Sequence, residues 1–157
     1  MQPITPFLWF DSQAEEAAEY YVSVFDDSEI REISRYPENT PGPAGSVMTV
    51  QFLLKGQEFT ALNGGPEFDF TPAVSLYVRC KDQDEVDRYW DALVDGGKSQ
   101  SCGWVTDRFG VTWQIVPDRL GELLGDPDPE RANRALQAML TMDKIEIKGL
   151  EDAANAA

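Results

Sequence analysis

The 157-residue chain contains no histidine. That removes the commonest metal ligand and the one side chain that ordinarily titrates near neutrality, so acid–base or metal chemistry would fall to carboxylates, amides and thiols. Cysteine is almost as scarce. Cys80 and Cys102 are its only two cysteines, and a pair of thiols in a chain of this size favours a reduced compartment over a disulfide scaffold. Basic residues are few: thirteen Lys and Arg against twenty-eight Asp and Glu leave a net charge of −15. Such a surface repels phosphate backbones and anionic headgroups, so neither nucleic acid nor membrane is expected as a partner. No apolar run is long enough to span a bilayer, and the N-terminus lacks the basic region and long apolar core of a secretion signal. The expectation is a cytoplasmic protein.

What is present is a module written twice. Glu16-Ala17-x-x-Tyr20-Tyr21-x-x-Val24 returns as Glu85-Val86-x-x-Tyr89-Trp90-x-x-Leu93, each copy behind an apolar stretch, Phe7 to Phe10 and Val74 to Val78. Two copies at so long a spacing imply pseudo-symmetric halves of one domain and not a solenoid, and a cleft between like halves is a common place for a ligand. With 42% apolar residues the chain can fill one core. The organisation expected is a single domain over 1–157, with modules at 1–66 and 72–117 and a helical C-terminal extension at 118–157.

Local signals give the order of elements. Phe7 to Phe10 reads as a strand, and Ser12-x-x-Glu15 fits a capping box opening a helix whose inner face is Ala14, Ala17, Ala18, Tyr21, Val22 and Phe25. A strand follows around Ser28 to Tyr36, then a proline- and glycine-rich flexible excursion at Pro37 to Gly45. Val47 to Leu54 and Glu58 to Leu62 form a hairpin that ends at the turn Asn63-Gly64-Gly65-Pro66. The second half repeats the pattern with a strand at Ala73 to Arg79 and a helix capped by Asp82-x-x-Glu85. That helix buries Val86, Tyr89, Trp90, Leu93 and Val94, and strands follow at Cys102 to Thr106 and Val111 to Val116. Asp128-Pro129-Glu130 then starts an amphipathic helix, and a last helix or turn is expected around Ile145 to Ala154.

The phrases Ile4-Thr5-Pro6-Phe7-Leu8-Trp9-Phe10, Asn63-Gly64-Gly65-Pro66, the whole run from Cys102 to Pro117, and Gln137-Ala138-Met139-Leu140 together resemble the PhnB-like branch of the vicinal-oxygen-chelate superfamily. That superfamily includes glyoxalase, bleomycin-resistance proteins and extradiol dioxygenases, and members of the branch often carry the label 3-demethylubiquinone-9 3-methyltransferase. The resemblance covers nearly the whole chain. It implies an α+β fold of two βαβββ-type modules forming curved mixed sheets around a cavity, usually assembled as a homodimer. The open strand edges and the amphipathic extension favour pairing as well.

The chemistries associated with this superfamily make different demands. Its metal enzymes use inward-facing histidine and glutamate, whereas this chain has no histidine and carries Gln114 at the position the resemblance assigns to a glutamate. An amide is a much poorer ligand for a divalent cation, so no metal and no cofactor are expected. S-adenosylmethionine in its common folds requires a glycine-rich strand-to-helix turn, and Asn63-Gly64-Gly65-Pro66 leads into a linker instead. Cys102 is the one thiol placed for nucleophilic work, with Arg108 the candidate cation beside it. Strand alternation puts Trp9, Ser75, Tyr77, Thr112 and Gln114 on one set of faces, with Trp104 near the rim and Arg108 at the mouth. This is an aromatic wall with a few neutral polar groups. The leading expectation is a metal-independent dimer that binds a small organic molecule. The alternatives are a lyase, isomerase or oxygenase using a metal or a carboxylate base, the methyltransferase of the label, and a structural or regulatory dimer with a filled core.

Overall fold

A computed structural model describes residues 2–156, and the chain divides into two compact units, 1–70 and 71–157. In the first unit the elements are β1 (Phe7–Phe10), α1 (Ala14–Val24), β2 (Glu29–Arg35), β3 (Val47–Leu54) and β4 (Gln57–Asn63). They form a mixed four-stranded sheet of order β1-β4-β3-β2, in which β1 runs parallel to β4 and the other neighbours are antiparallel. The hairpin around Lys55-Gly56 turns where the sequence signals it, with both residues at positive φ.

Parity decides which side of this sheet is buried. Ala61 pairs with Leu8 and with Val50, and Phe52 pairs with Phe59, so these side chains share a face. Val50, Phe52, Phe59 and Ala61 are buried, and α1 lays Ala14, Ala17, Ala18, Tyr21 and Val24 over this side, with the Tyr21 ring 6.3 Å from that of Phe52. Val24 takes the place expected of Val22, which is half-buried; Val24 and Tyr21 lie one turn apart on the covered face.

Helix α1 does not use the expected capping box. Its N-cap is Gln13, whose side chain makes no cap bond. The free amide of Ala14 donates instead to Asn63 Oδ1 at 2.7 Å, from the end of β4, and Asn63 Nδ2 donates to the Val47 carbonyl at 3.1 Å. One side chain thus ties α1, β3 and β4 together. The Pro37 to Gly45 excursion has no strand, but its base is clamped by Tyr36 N to Ser46 O and by the Tyr36 hydroxyl on the Asn63 carbonyl.

The second unit repeats the plan with β5 (Leu76–Cys80), α2 (Gln83–Val94), β6 (Lys98–Ser99), β7 (Trp104–Thr106) and β8 (Thr112–Pro117) in the order β5-β8-β7-β6. The expected strand at Ala73 begins only at Leu76, so Ser75 precedes it; the two-residue β6 was not anticipated. Here the capping signal holds. Asp82 accepts from Glu85 N at 2.9 Å, and the Glu85 carboxylate reaches back to Lys81 N at 2.9 Å. Helix α2 buries Val86, Tyr89, Trp90 and Leu93 against a sheet face that carries Val78, Val105, Trp113 and Ile115; Val94 is half-buried.

The extension consists of α3 (Asp118–Leu124), α4 (Pro129–Met139) and α5 (Ile147–Asn155), packed around Val116, Leu120, Leu123, Ala135, Ile145, Leu150 and Ala154. The segment before α5 is fastened to the repeat. Gln83 holds both Ile145 O (3.0 Å) and Ile147 N (2.7 Å), and Cys102 N and Gly103 N donate to the carbonyls of Met142 and Asp143. Lys144 lies 2.8 Å from Asp87 and, with Gln83, holds that carboxyl below its ordinary pKa. Gly103, at φ +85°, leaves no room for a Cβ, which would stand 2.8 Å from Ile145 Cδ1. The far end is closed by Arg134, which donates to the Ala153 and Ala154 carbonyls, and by Arg131, which bonds Asn155. Among the described residues no helix is long and apolar enough to cross a membrane.

Replacing Asn63 by alanine removes the cap of α1 and leaves the Val47 carbonyl without its donor. The expected loss is about 1–2 kcal/mol, read as a lower urea midpoint at unchanged slope. Asn63→Asp, which keeps the acceptor and loses the donor, should fall between.

Candidate functional site

The face of the second sheet opposite α2 carries the residues of interest, and a buried neighbour fixes their direction. Trp113 is 2% exposed, and its indole N–H donates to Asp107 Oδ2 at 2.8 Å. Asp107, itself 3% exposed, also accepts from the amides of Phe109 (2.8 Å) and Val111 (3.1 Å) through Oδ1. The carboxylate therefore builds the β7–β8 turn and holds Trp113 under α2. With Trp113 pointing inward, Gln114 must point outward.

Register then sets a row across three strands. Gln114 of β8 is paired with Tyr77 of β5 on one side and with Trp104 of β7 on the other. Gln114 and Trp104 are half-buried and Tyr77 is 59% exposed. Gln114 Nε2 donates to Ser75 Oγ at 2.9 Å. One step along, Thr112 pairs with Thr106, their hydroxyls 3.4 Å apart, and Gln100 Nε2 reaches Thr106 at 2.5 Å. Ser75, Tyr77, Trp104, Thr112 and Gln114 are thus together as the alternation predicts. Trp104 stands beside Gln114 and not at a rim, because the two are directly paired; Thr112 is buried beneath the hydroxyl ladder.

The remaining expected residues lie outside this row. Trp9 is on the uncovered face of the first sheet, where its N–H is bonded to the Gly65 carbonyl (2.9 Å) and its ring meets Phe68 edge-on at 5.0 Å. Gly64 lies flat against that indole, where a Cβ would come within 2.4 Å. Arg108 lies beside the end of α2, bonded to Asp95 O and Asp95 Oδ2, each at 3.2 Å. Its charge is answered there. Cys102 is a turn residue at φ +63° whose amide is held by Met142, and Cys80 is buried at the end of β5; both thiols are free of disulfides.

Two concavities adjoin these features. A space of about 370 Å3 extends from Tyr77 along Arg79, Asp118, Gly121 and Glu122, and there the hydrogen bond from Arg79 to Asp118, 3.0 Å, raises the arginine's pKa. Another, of about 480 Å3, lies in the first unit among Asp11, Glu15, Tyr36 and the Asn63-Gly64-Gly65 turn. Sequence reasoning missed the second, whose walls come from three separate loops. The run Asp107 to Gly110 reads as a turn between two strands, but nothing local signals that Asp107 also accepts from Trp113.

The residues do not suit the groups associated with this fold. Among the described residues no three His, Cys, Asp or Glu side chains come together as a cation site, and the row has an amide at its centre. Gly64 and Gly65 follow β4 and lead into a turn with no helix behind it, so they do not make a nucleotide-type phosphate or adenosine cradle.

Residues 2–116 match the sequence model of a family described as 3-demethylubiquinone-9 3-methyltransferase. The chain belongs to this family. A PhnB protein from Bacillus cereus is 42% identical, with a TM-score of 0.69, over 74% of this chain and 99% of its own. A protein from Pseudomonas aeruginosa shares the fold at 22% identity (TM-score 0.62, 74% and 98% covered). The fosfomycin resistance protein FosX from Listeria monocytogenes does so at 14% (TM-score 0.58, 80% and 98% covered). The fold is the one these structures share, and residues 117–157 lie beyond the family match. No curated protein matches the chain.

Asp107→Ala would remove the carboxylate that the Phe109 and Val111 amides and the Trp113 indole share. A stability loss of about 3 kcal/mol is expected in chemical denaturation, with Asp107→Asn milder because one amide oxygen survives.

Proposed function

We propose that this member of the family binds a small organic molecule on the face of its C-terminal sheet opposite α2, without a bound metal and as a homodimer. The observation that carries the reading is the register-fixed row of Tyr77, Gln114 and Trp104. It joins two aromatic rings to an amide whose oxygen has no hydrogen-bond partner among the described residues. Exposed aromatic area beside a few neutral polar groups is the usual composition of a small-molecule site. Ser75 and Thr112 support the row through Gln114 and the hydroxyl ladder. Arg108 acts by fixing the β7–β8 turn against Asp95 and not by meeting the ligand.

Metal independence is supported by the donor set, since neither an amide nor two hydroxyls holds a transition ion firmly. Methyl transfer is disfavoured by the missing cofactor cradle, so the family description is read as a lineage name. The dimer is supported by edge strands on each sheet and by the exposed Ile4, Phe7 and Phe68.

Indole emission and melting temperature, followed across a library of planar fragments, should reveal compounds that change both. Gln114→Ala should weaken their binding severalfold while the fold survives. A library without responders, or responders indifferent to Gln114 and Trp104, removes the basis of the reading. Native mass spectrometry of freshly desalted protein should show twice the 17.5 kDa chain mass and no stoichiometric metal. One equivalent of zinc or manganese per chain would favour an enzyme instead.

A further inference from the structure

Resting on that reading of the face, we infer that Gln114 selects a neutral, planar heterocycle that presents a hydrogen-bond donor next to an acceptor, such as a lactam, with its ring held between Tyr77 and Trp104. The amide has two N–H bonds and two acceptor positions, and one of these is used on Ser75 Oγ. With the N–H trans to the amide oxygen given to the serine, the remaining donor and acceptor lie side by side in one plane. The bond to the serine hydroxyl leaves that pair whichever way the amide is turned, because the hydroxyl both donates and accepts. A lactam, a primary carboxamide or an amino-azine edge completes such a pair with two bonds, as glutamine does on the edge of adenine.

The flanking rings match a flat partner. Tyr77 and Trp104 are each one strand away from Gln114, so their backbones stand about 9.6 Å apart. Inserting a planar ring needs about 7 Å between aromatic faces, twice a ~3.5 Å contact, which is less than that backbone spacing. Charge settles the remaining choice. The side chains around Gln114 are Ser75, Tyr77, Trp104, Thr106 and Thr112, all neutral; Arg79, further along the same face, is occupied by Asp118. A carboxylate would meet the amide oxygen with no compensating cation, on a chain whose net charge is −15. A single hydrogen-bonding group would leave one amide position unanswered.

Three bicyclic probes of nearly equal size separate these possibilities: 2-quinolone, 1-methyl-2-quinolone, whose donor is blocked, and quinoline-2-carboxylate. Titrations are read from the assigned indole N–H resonance of Trp104 in the full-length protein, at constant salt. The lactam should bind roughly five- to tenfold tighter than either comparator, the ratio that one lost hydrogen bond produces. Gln114→Leu should erase that preference, while Tyr77→Ala should weaken both quinolones equally. Equal or tighter binding of the carboxylate or the methylated lactam overturns the ligand class and leaves the binding face standing. No shift with any probe at millimolar concentration overturns the face and the class together.

Discussion

The direction of one buried indole governs the second unit. Trp113 is locked beneath α2 by packing and by its bond to Asp107. In a strand a one-residue slip sends every side chain to the opposite face, so this anchor sets the parity of the whole of β8. Ile115 goes inward with it, and Gln114 goes out. The neighbours of Gln114 then follow from the pairing of β8 with β5 and β7. Asp107 is placed to do this because its carboxylate also collects the two amides of the tight turn that precedes the strand. One carboxylate therefore both shapes the turn, through two bonds, and fixes which residues of β8 meet solvent, through a third.

The first unit reaches an equivalent arrangement by other means. Its sheet is covered by α1, and the residue joining helix to sheet is Asn63, an amide at a strand end, where the second unit uses a carboxylate in a turn. In both cases one polar side chain satisfies backbone groups from separate elements, and both lie within the family match at 2–116. The repeat thus conserves the layout of strands and helix while the polar fastening differs.

Periodicity made most of this visible in the sequence. The apolar stripes of α1 and α2, the alternation of β5 and β8, the Asp82 cap and the Asp128-Pro129 helix start are local patterns, and each is found where its pattern lies. What escaped depends on distant partners. Ser12-x-x-Glu15 has a capping sequence, yet the acceptor for Ala14 comes from Asn63, forty-nine residues away, and nothing local reports that. The partner of Arg108, Asp95, is likewise thirteen residues away, and no local pattern joins the two. The short α3 was legible in principle, since Leu120, Leu123 and Leu124 have helical spacing after Pro117. Alternation put Tyr77, Gln114 and Thr112 on one face, as the pairing has them. The adjacency of Trp104 needed strand register, which a lone sequence does not carry.

Chain ends ordinarily open first. Here the carbonyls at the end of α5 are received by Arg131 and Arg134 from the neighbouring helix, two of only thirteen basic side chains in the protein. The terminal turn is consequently closed by guanidinium groups that its own sequence does not supply, and a cation at a helix C-terminus opposes the dipole that would otherwise favour unwinding. Amide protons of the final helix then exchange at a rate set by opening of the α3–α5 cluster, not by fraying of the tip.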